Sequence, residues 1–306
     1  MAEAIVKAHG ATVGLPLETA AYAQAVPTPH PAAQSSDPAH AAAQQACLAM
    51  GFISPDAQVV AAAWQRQTER LGAFSATRWP TEPQDFGCAG WPRVKAFATC
   101  PRQLGLYAVL PDAGWVGRMA QVGVPTLQLR FKHDDRHVIA QEVKAAVQAV
   151  QGTPSLLFIN DHWQAAIDAG AYGVHLGQED LDAAGRANLD AIRQAGLRLG
   201  LSSHGYAEMI KADQFSPSYI ALGAVYATTL KRMITPPQGP GRLAVYARLL
   251  HNYPLVAIGG IDEARFDEVL RSGVGSIAVV RAITASSDPE AAAHRMMQQM
   301  AAKITL

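Results

Sequence analysis

The chain predicts a (β/α)8 barrel of the TIM type, preceded by an N-terminal extension that is poorly structured or carries only short helices. Three observations point there. From residue 104 onward, eight short apolar runs alternate with amphipathic stretches, as repeated βα units do. Gly170, Gly196 and Gly273 close several of those stretches, where a helix ends on a left-handed residue. All eight units fit in about 200 residues, which favours a closed barrel over an open doubly wound sheet.

Taken in order, residues 1–100 form an extension rich in Ala, Pro, Gln and His and weakly periodic; its first forty residues are expected to be poorly ordered. Asp37-Pro38 and Ser54-Pro55 each place a capping residue before a proline, so two short helices are expected to open there, the second running to Arg70. Residues 78–92 read as irregular linker whose aromatic side chains pack on the barrel domain. That domain then spans 101–306. Its strands are predicted over 104–110, 126–131, 155–160, 173–176, 198–202, 219–225, 255–258 and 276–280. Helices are predicted over 138–150, 164–169, 189–195, 206–213, 243–251, 264–271 and 289–302.

Composition narrows the function. Lys plus Arg and Asp plus Glu are 25 each, a formal net charge of zero, which lacks the basic footprint of a nucleic-acid binder. Any anion site is therefore local. Cys47, Cys88 and Cys100 are three, widely spaced and outside metal-ligand spacing, as expected of reduced thiols in a cytoplasmic protein. The first residues carry neither a basic segment nor an apolar core, so export and membrane insertion are not expected.

Chemistry in this fold sits at the C-terminal ends of the strands. In Thr126-Leu127-Gln128-Leu129-Arg130-Phe131-Lys132, strand parity puts Gln128, Arg130 and Lys132 on one face and Leu127, Leu129 and Phe131 on the other. Two cations and an amide suggest a bound phosphate, although an edge strand can carry Lys and Arg against aggregation. The third strand runs into Asn160-Asp161, and the fourth into Gly177-Gln178-Glu179-Asp180. Asp161 with Gln164 also spells a capping box, and Asp180 also reads as a helix cap. Two carboxylates on adjacent loops suit Mg2+, which accepts one or two carboxylates plus waters and phosphate oxygens. With the cationic strand beside them, the metal reading is the better supported.

The fifth strand ends in Ser202-Ser203-His204, the sixth leads into Thr228-Thr229-Leu230-Lys231-Arg232, the seventh gives Gly259-Gly260 and the eighth Val280-Arg281. No Asp and His stand around either serine in a triad pattern, so hydrolase chemistry is rejected. Loops after strands 7 and 8 are the recurrent phosphate site of this fold, and glycines there let backbone N–H groups approach.

Taken in order, Gln128-x-Arg130-x-Lys132, Asn160-Asp161, Gly177-Gln178-Glu179-Asp180, Ser202-x-His204, Thr228 with Lys231, and Ile258-Gly259-Gly260-Ile261 resemble thiamine phosphate synthase over residues 104–303. The resemblance implies a transferase that couples 4-amino-2-methyl-5-hydroxymethylpyrimidine diphosphate to a thiazole phosphate, with Mg2+ as cofactor. It implies Asp161 and Asp180 as metal ligands, with Arg130, Lys132, Asn160 and Lys231 on the diphosphate. Gln128 and Ser202 would face the pyrimidine. Thr228, Gly260, Val280 and Arg281 would hold the thiazole phosphate. Leu129, Phe131, Thr229 and Leu230 lie within the same substrate-binding segments. Arg130, Lys132, Ser202 and Lys231 form the catalytic set.

Three positions depart from the family pattern. Leu230 stands where a second threonine is usual, Phe131 where Glu is frequent, and Arg281 where a small Ser is common. Two other readings of the same superfamily remain: a thiazole tautomerase using His204 for proton transfer, and a noncatalytic regulator. The expected partners are the two small-molecule substrates and, where the chain forms a homo-oligomer, a second copy of itself, with no nucleic acid and no membrane.

Overall fold

A computed structural model of the protein describes residues 1–15, 35–230 and 235–304. Eight strands, β1 (Gly105–Leu110), β2 (Thr126–Leu129), β3 (Leu156–Asn160), β4 (Gly173–Leu176), β5 (Arg198–Ser203), β6 (Tyr219–Leu222), β7 (Leu255–Ala257) and β8 (Ser276–Val279), pair in parallel. Their order is β1 to β8 around a closed barrel. Closure removes every sheet edge. The edge-protection reading of Arg130 and Lys132 therefore falls away.

Parity sorts the strand side chains into two layers. Leu106, Ala108, Leu127, Leu129, Val174 and Leu201 face outward into one large apolar layer. Tyr107, Val109, Phe158, Tyr219, Ala221, Val256 and Ala278 fill the interior. The interior is thus an aromatic plug: Phe158 meets Tyr219 edge to face at 5.1 Å and stacks on Tyr107 at 6.0 Å. Gly200 on β5 makes room for it, because a Cβ there would lie 2.1 Å from the Tyr219 ring.

The outer helices are α4 (Ala113–Val122), α5 (Arg136–Ala149), α6 (Trp163–Ala169), α7 (Gln178–Gln194), α8 (Tyr206–Asp213), α9 (Gly239–Leu249), α10 (Phe266–Leu270), α11 (Arg281–Thr284) and α12 (Pro289–Ile304). Several elements differ from the sequence-based expectation: among them, the short helix α11 is absent from it, β6 ends at Leu222 rather than at 225, and α9 begins at Gly239 rather than at 243. Helix α4 is also absent from that expectation; the helix's two glycines, Gly114 and Gly117, weaken its intrinsic signal, and Asp112 starts it by accepting from Trp115 N at 2.8 Å. Helix α7 begins eleven residues before the predicted 189 and is broken at Gly185, whose φ is +69°. Strand β2 stops at Leu129 rather than at 131.

Among the described residues of 1–100, three α-helices form, with bounds Ala2–Val13, Pro38–Ala49 and Ser54–Leu71 (α1, α2, α3 in chain order). Helix α2 opens as expected, with Asp37 as cap before Pro38; α3 begins one residue earlier than expected, at Ser54, with Ile53 at the cap and no side-chain cap bond. The expectation of poor order over the first forty residues is corrected for residues 2–13: Ile5 and Val13 are buried on the aromatic cluster beneath α1, and His9 lies edge-on to Trp64 and Trp79. Residues 16–34 lie outside the described residues. The linker aromatics do pack on the barrel, since the Trp79 indole donates to the Tyr206 hydroxyl at 2.9 Å and Phe86 stacks on the same ring at 5.2 Å.

Buried charged side chains fasten this extension to the barrel, Arg93 with Asp213 among them. Helix α8 has Gly205 at its cap position and no capping side chain of its own. Asp56 of α3 supplies one, accepting from Ala207 N at 2.8 Å. Arg242 of α9, almost fully buried, donates to Val13 O at 2.8 Å, Met50 O at 2.9 Å and Gln238 Oε1 at 3.2 Å. Among the described residues, no helix is long and apolar enough to cross a membrane.

Candidate active site

The mouth of the barrel is built by the first residues past each strand. Asp161 follows β3 in the left-handed region, φ +62°, sparsely populated by residues with a Cβ and frequent at functional positions. Its own backbone holds that turn: the Asp161 N–H donates to His175 O at 3.0 Å, and its carbonyl accepts from Trp163 N at 2.8 Å. The capping-box alternative is not realised. Helix α6 is capped by His162 without a side-chain bond, and the Gln164 amide turns to Asp168.

Asp180 sits in the first turn of α7, whose cap is Gly177. Its carboxyl accepts from the Gly177 N–H and also meets the Asp161 carboxyl. Burial pushes the Asp180 pKa up first, the neighbouring Asp161 charge and hydrogen bond push it further, and Lys132 partly opposes them. Two carboxylates on one spot repel, so one tends to keep a proton. Lys132 forms an ion pair with Asp161. Sequence-distant residues 132, 161 and 180 thus converge at one point.

This donor set fits a hard divalent cation. It offers only oxygen, and a cation would relieve the repulsion that raises Asp180. Among the described residues, no group of three or more His, Cys, Asp and Glu stands ready to hold a metal alone.

Below the mouth, Gln128 is buried, and its amide donates to the Tyr107 hydroxyl at 2.9 Å. Asn160 is buried at the end of β3. Ser202 accepts or donates to His175 Nε2 at 2.8 Å, and the Gln178 amide holds the Ser202 carbonyl at 2.7 Å. Arg130 lies just past β2 with its N–H on Leu110 O at 2.8 Å and its side chain exposed. Parity therefore governs Gln128 alone; Arg130 and Lys132 are loop residues at the rim. Leu129 points into the outer apolar layer, away from the interior. Phe131 packs on that layer too and stacks on His133 at 5.9 Å.

The loops after β6 and β7 are pressed together. Tyr226 N donates to Gly259 O at 2.9 Å. A Cβ on Gly260, whose φ is +63°, would lie 2.4 Å from Ala227 O. Only glycine fits there. Arg265 donates to the Gly260 carbonyl and covers the Tyr226 ring at 4.3 Å. Thr228 is half-buried and accepts from Leu230 N at 3.3 Å, while Thr229 and Leu230 are exposed. Lys231 lies outside the described residues. Val280 borders the interior cluster, and Arg281 opens α11 with an exposed side chain.

A family model described as thiamine monophosphate synthase matches residues 106–283. The chain belongs to that family. A thiamine-phosphate synthase of Neisseria meningitidis serogroup B is 52% identical over 188 residues, covering 61% of this chain and 90% of its own. One from Yersinia pestis strain Pestoides F is 46% identical over 207 residues, covering 68% and 95%. The thiamine phosphate pyrophosphorylase of Pyrococcus furiosus shares the fold, with a TM-score of 0.57 at 24% identity over 66% of this chain and 98% of its own. Family membership makes the chain a transferase enzyme. The match begins just after the extension.

What the sequence did not single out is the interior polar set. Tyr107, His175 and Tyr219 stand on inward positions of β1, β4 and β6, joined by bonds of 2.7 Å from Tyr107 to Tyr219 and from Tyr219 to His175. A histidine inside the apolar run Val174-His175-Leu176 was the available signal, since a buried imidazole requires partners.

Proposed function

We propose that the mouth couples 4-amino-2-methyl-5-hydroxymethylpyrimidine diphosphate to a thiazole phosphate, giving thiamine phosphate and pyrophosphate. The observation that carries this reading is the convergence of the Asp161 and Asp180 carboxyls with Lys132 at the ends of β2, β3 and β4. Asp161 and Asp180 hold Mg2+; Arg130, Lys132, Asn160 and Lys231 hold the diphosphate. When bound, Mg2+ neutralises charge on the diphosphate oxygens. Gln128 and Ser202 meet the pyrimidine. Thr228, Thr229, Leu230, Gly260, Val280 and Arg281 surround the thiazole phosphate.

No protein nucleophile is required. The pyrimidine amino group feeds electrons to the exocyclic carbon, so the C–O bond breaks with its electron pair leaving on pyrophosphate. The thiazole nitrogen lone pair then forms the new C–N bond. The protein aligns the two reactants and stabilises the departing charge with Arg130 and Lys132. The paired Asp161 and Asp180 carboxyls argue against the tautomerase alternative, which has no need of a metal pair; His204 itself, in the loop after β5, is held through Nδ1 by Glu208 of α8 at 2.6 Å.

Incubating the protein with both substrates and Mg2+ should release pyrophosphate in step with thiamine phosphate. Release without the thiazole phosphate, or none at all, would overturn the assignment.

A further inference from the structure

Five side chains form one unbroken hydrogen-bonded chain across the barrel interior. Gln128 on β2 donates its amide N–H to the Tyr107 hydroxyl on β1 at 2.9 Å, and Tyr107 meets the Tyr219 hydroxyl on β6 at 2.7 Å. Tyr219 meets His175 Nδ1 on β4 at 2.7 Å, and His175 Nε2 meets Ser202 Oγ on β5 at 2.8 Å. Both ends are residues assigned to the pyrimidine; the three middle members are not.

With the Gln128 amide N–H donating to Tyr107, the chain has one consistent direction. Burial raises both phenols well above their ordinary range, so each carries one proton and donates once. Tyr107 receives from Gln128 and gives its proton to Tyr219; Tyr219 gives its own to His175 Nδ1. A neutral imidazole accepting at Nδ1 carries its proton on Nε2 and donates it to Ser202 Oγ. The Ser202 proton is then free for a ligand. At the other end, Gln128 Oε1 is left to accept. Turning the Gln128 amide around reverses every bond together and exchanges the two ends, so one end always donates where the other accepts.

Resting on the coupling reaction proposed above, we propose that Tyr107, Tyr219 and His175 are positioning residues that lock opposite hydrogen-bonding polarity onto Gln128 and Ser202, and so select a ring bearing an amino donor beside a ring-nitrogen acceptor. A 4-oxo pyrimidine presents an acceptor and an N–H where the 4-amino ring presents a donor and a bare nitrogen. Held in the same pose, it mismatches both ends of the chain in this direction, and would be matched only after the Gln128 amide turns and all four bonds invert. A site of this kind rejects mismatched analogues strongly, because buried polar groups are left unpaired. The rigid packing supports the lock: Tyr219 is held edge-on by Phe158 and fills the gap left by Gly200.

The test compares binding of the 4-amino- and 4-oxo-2-methyl-5-hydroxymethylpyrimidine monophosphates, which carry no diphosphate leaving group, by calorimetry on wild type, Tyr219→Phe and Tyr107→Phe. Each variant removes one hydroxyl, and with it two of the four bonds, but keeps the ring and touches neither ligand. Wild type should prefer the 4-amino ring at least a hundredfold. The preference should fall at least tenfold in each variant, with the KM for thiazole phosphate within twofold of wild type. An undiminished preference in either folded variant overturns the proposal. So does an equal loss for both rings. Failure of both variants to fold would assign the chain to stability alone and overturn it as well. Absence of pyrophosphate release by wild type sinks the coupling reaction instead, while the binding ratio, which needs no turnover, still judges the chain.

Discussion

Asp56, where the extension docks, and Asp180, at the barrel mouth, are both carboxyls pushed toward the protonated form, and burial is the first cause in each. Their surroundings differ. Asp56 is pushed up to about 7, yet it caps helix α8 through Ala207 N and has the Arg242 cation nearby. Its environment is complete. Asp180 has another carboxyl as its next-largest influence, an arrangement that a cation would finish. A perturbed carboxylate is thus a functional marker only when its neighbours leave something to be supplied.

Arg242→Met should break the docking side of this comparison most severely. Three buried acceptors, on Val13, Met50 and Gln238, lose their donor, so unfolding free energy should drop by roughly 3 to 5 kcal/mol in denaturant titration. At the mouth, Lys132→Met should do the reverse. Its side chain is more than half exposed, so the melting temperature should hold while kcat falls by about a hundredfold to a thousandfold, as for other preorganised charge stabilisers.

A smaller effect separates the two aspartates by pH. The folded-state pKa of Asp56, about 7 against an ordinary 3.8, means the native state binds the proton more tightly. Stability should therefore decline as pH rises from about 4 through 7. Asp56→Asn, which keeps an acceptor for Ala207, should flatten that decline, and Asp56→Ala should cost about 1 to 2 kcal/mol through the lost cap. A slope unchanged in Asp56→Asn would show that the carboxyl does not titrate in this window. The smallest effect is expected at Leu230→Thr, which restores a hydroxyl and should lower the KM for thiazole phosphate by less than about tenfold, since this weighs one exposed hydrogen bond.

The strands were legible in the sequence because each is a short apolar run between turn signals, and the ends of those runs are where the candidate site lies. Asp161, Asp180 and Lys132 were legible for the same reason. Helix α1 was not: its order comes from Trp64 and Trp79, more than fifty residues away, while its own periodicity is weak. The interior chain was hidden likewise, since Tyr107 and Tyr219 bond across 112 residues. Local pattern reveals a strand's inner face, and only closure of the barrel reveals which inner faces touch. Parity also overreached, because β2 ends before Arg130 and the rim cations are set by the loop rather than the pleat.

The central claim is that Asp161 and Asp180 hold the metal that serves the departing diphosphate. Pyrophosphate release titrated with Mg2+ in wild type and Asp180→Asn tests it most directly. Asp180→Asn should require at least tenfold more Mg2+ and release pyrophosphate at least a hundredfold more slowly, with its melting temperature little changed. Equal rates and equal Mg2+ requirement in the two proteins would reduce Asp180 to a helix cap and contradict the account.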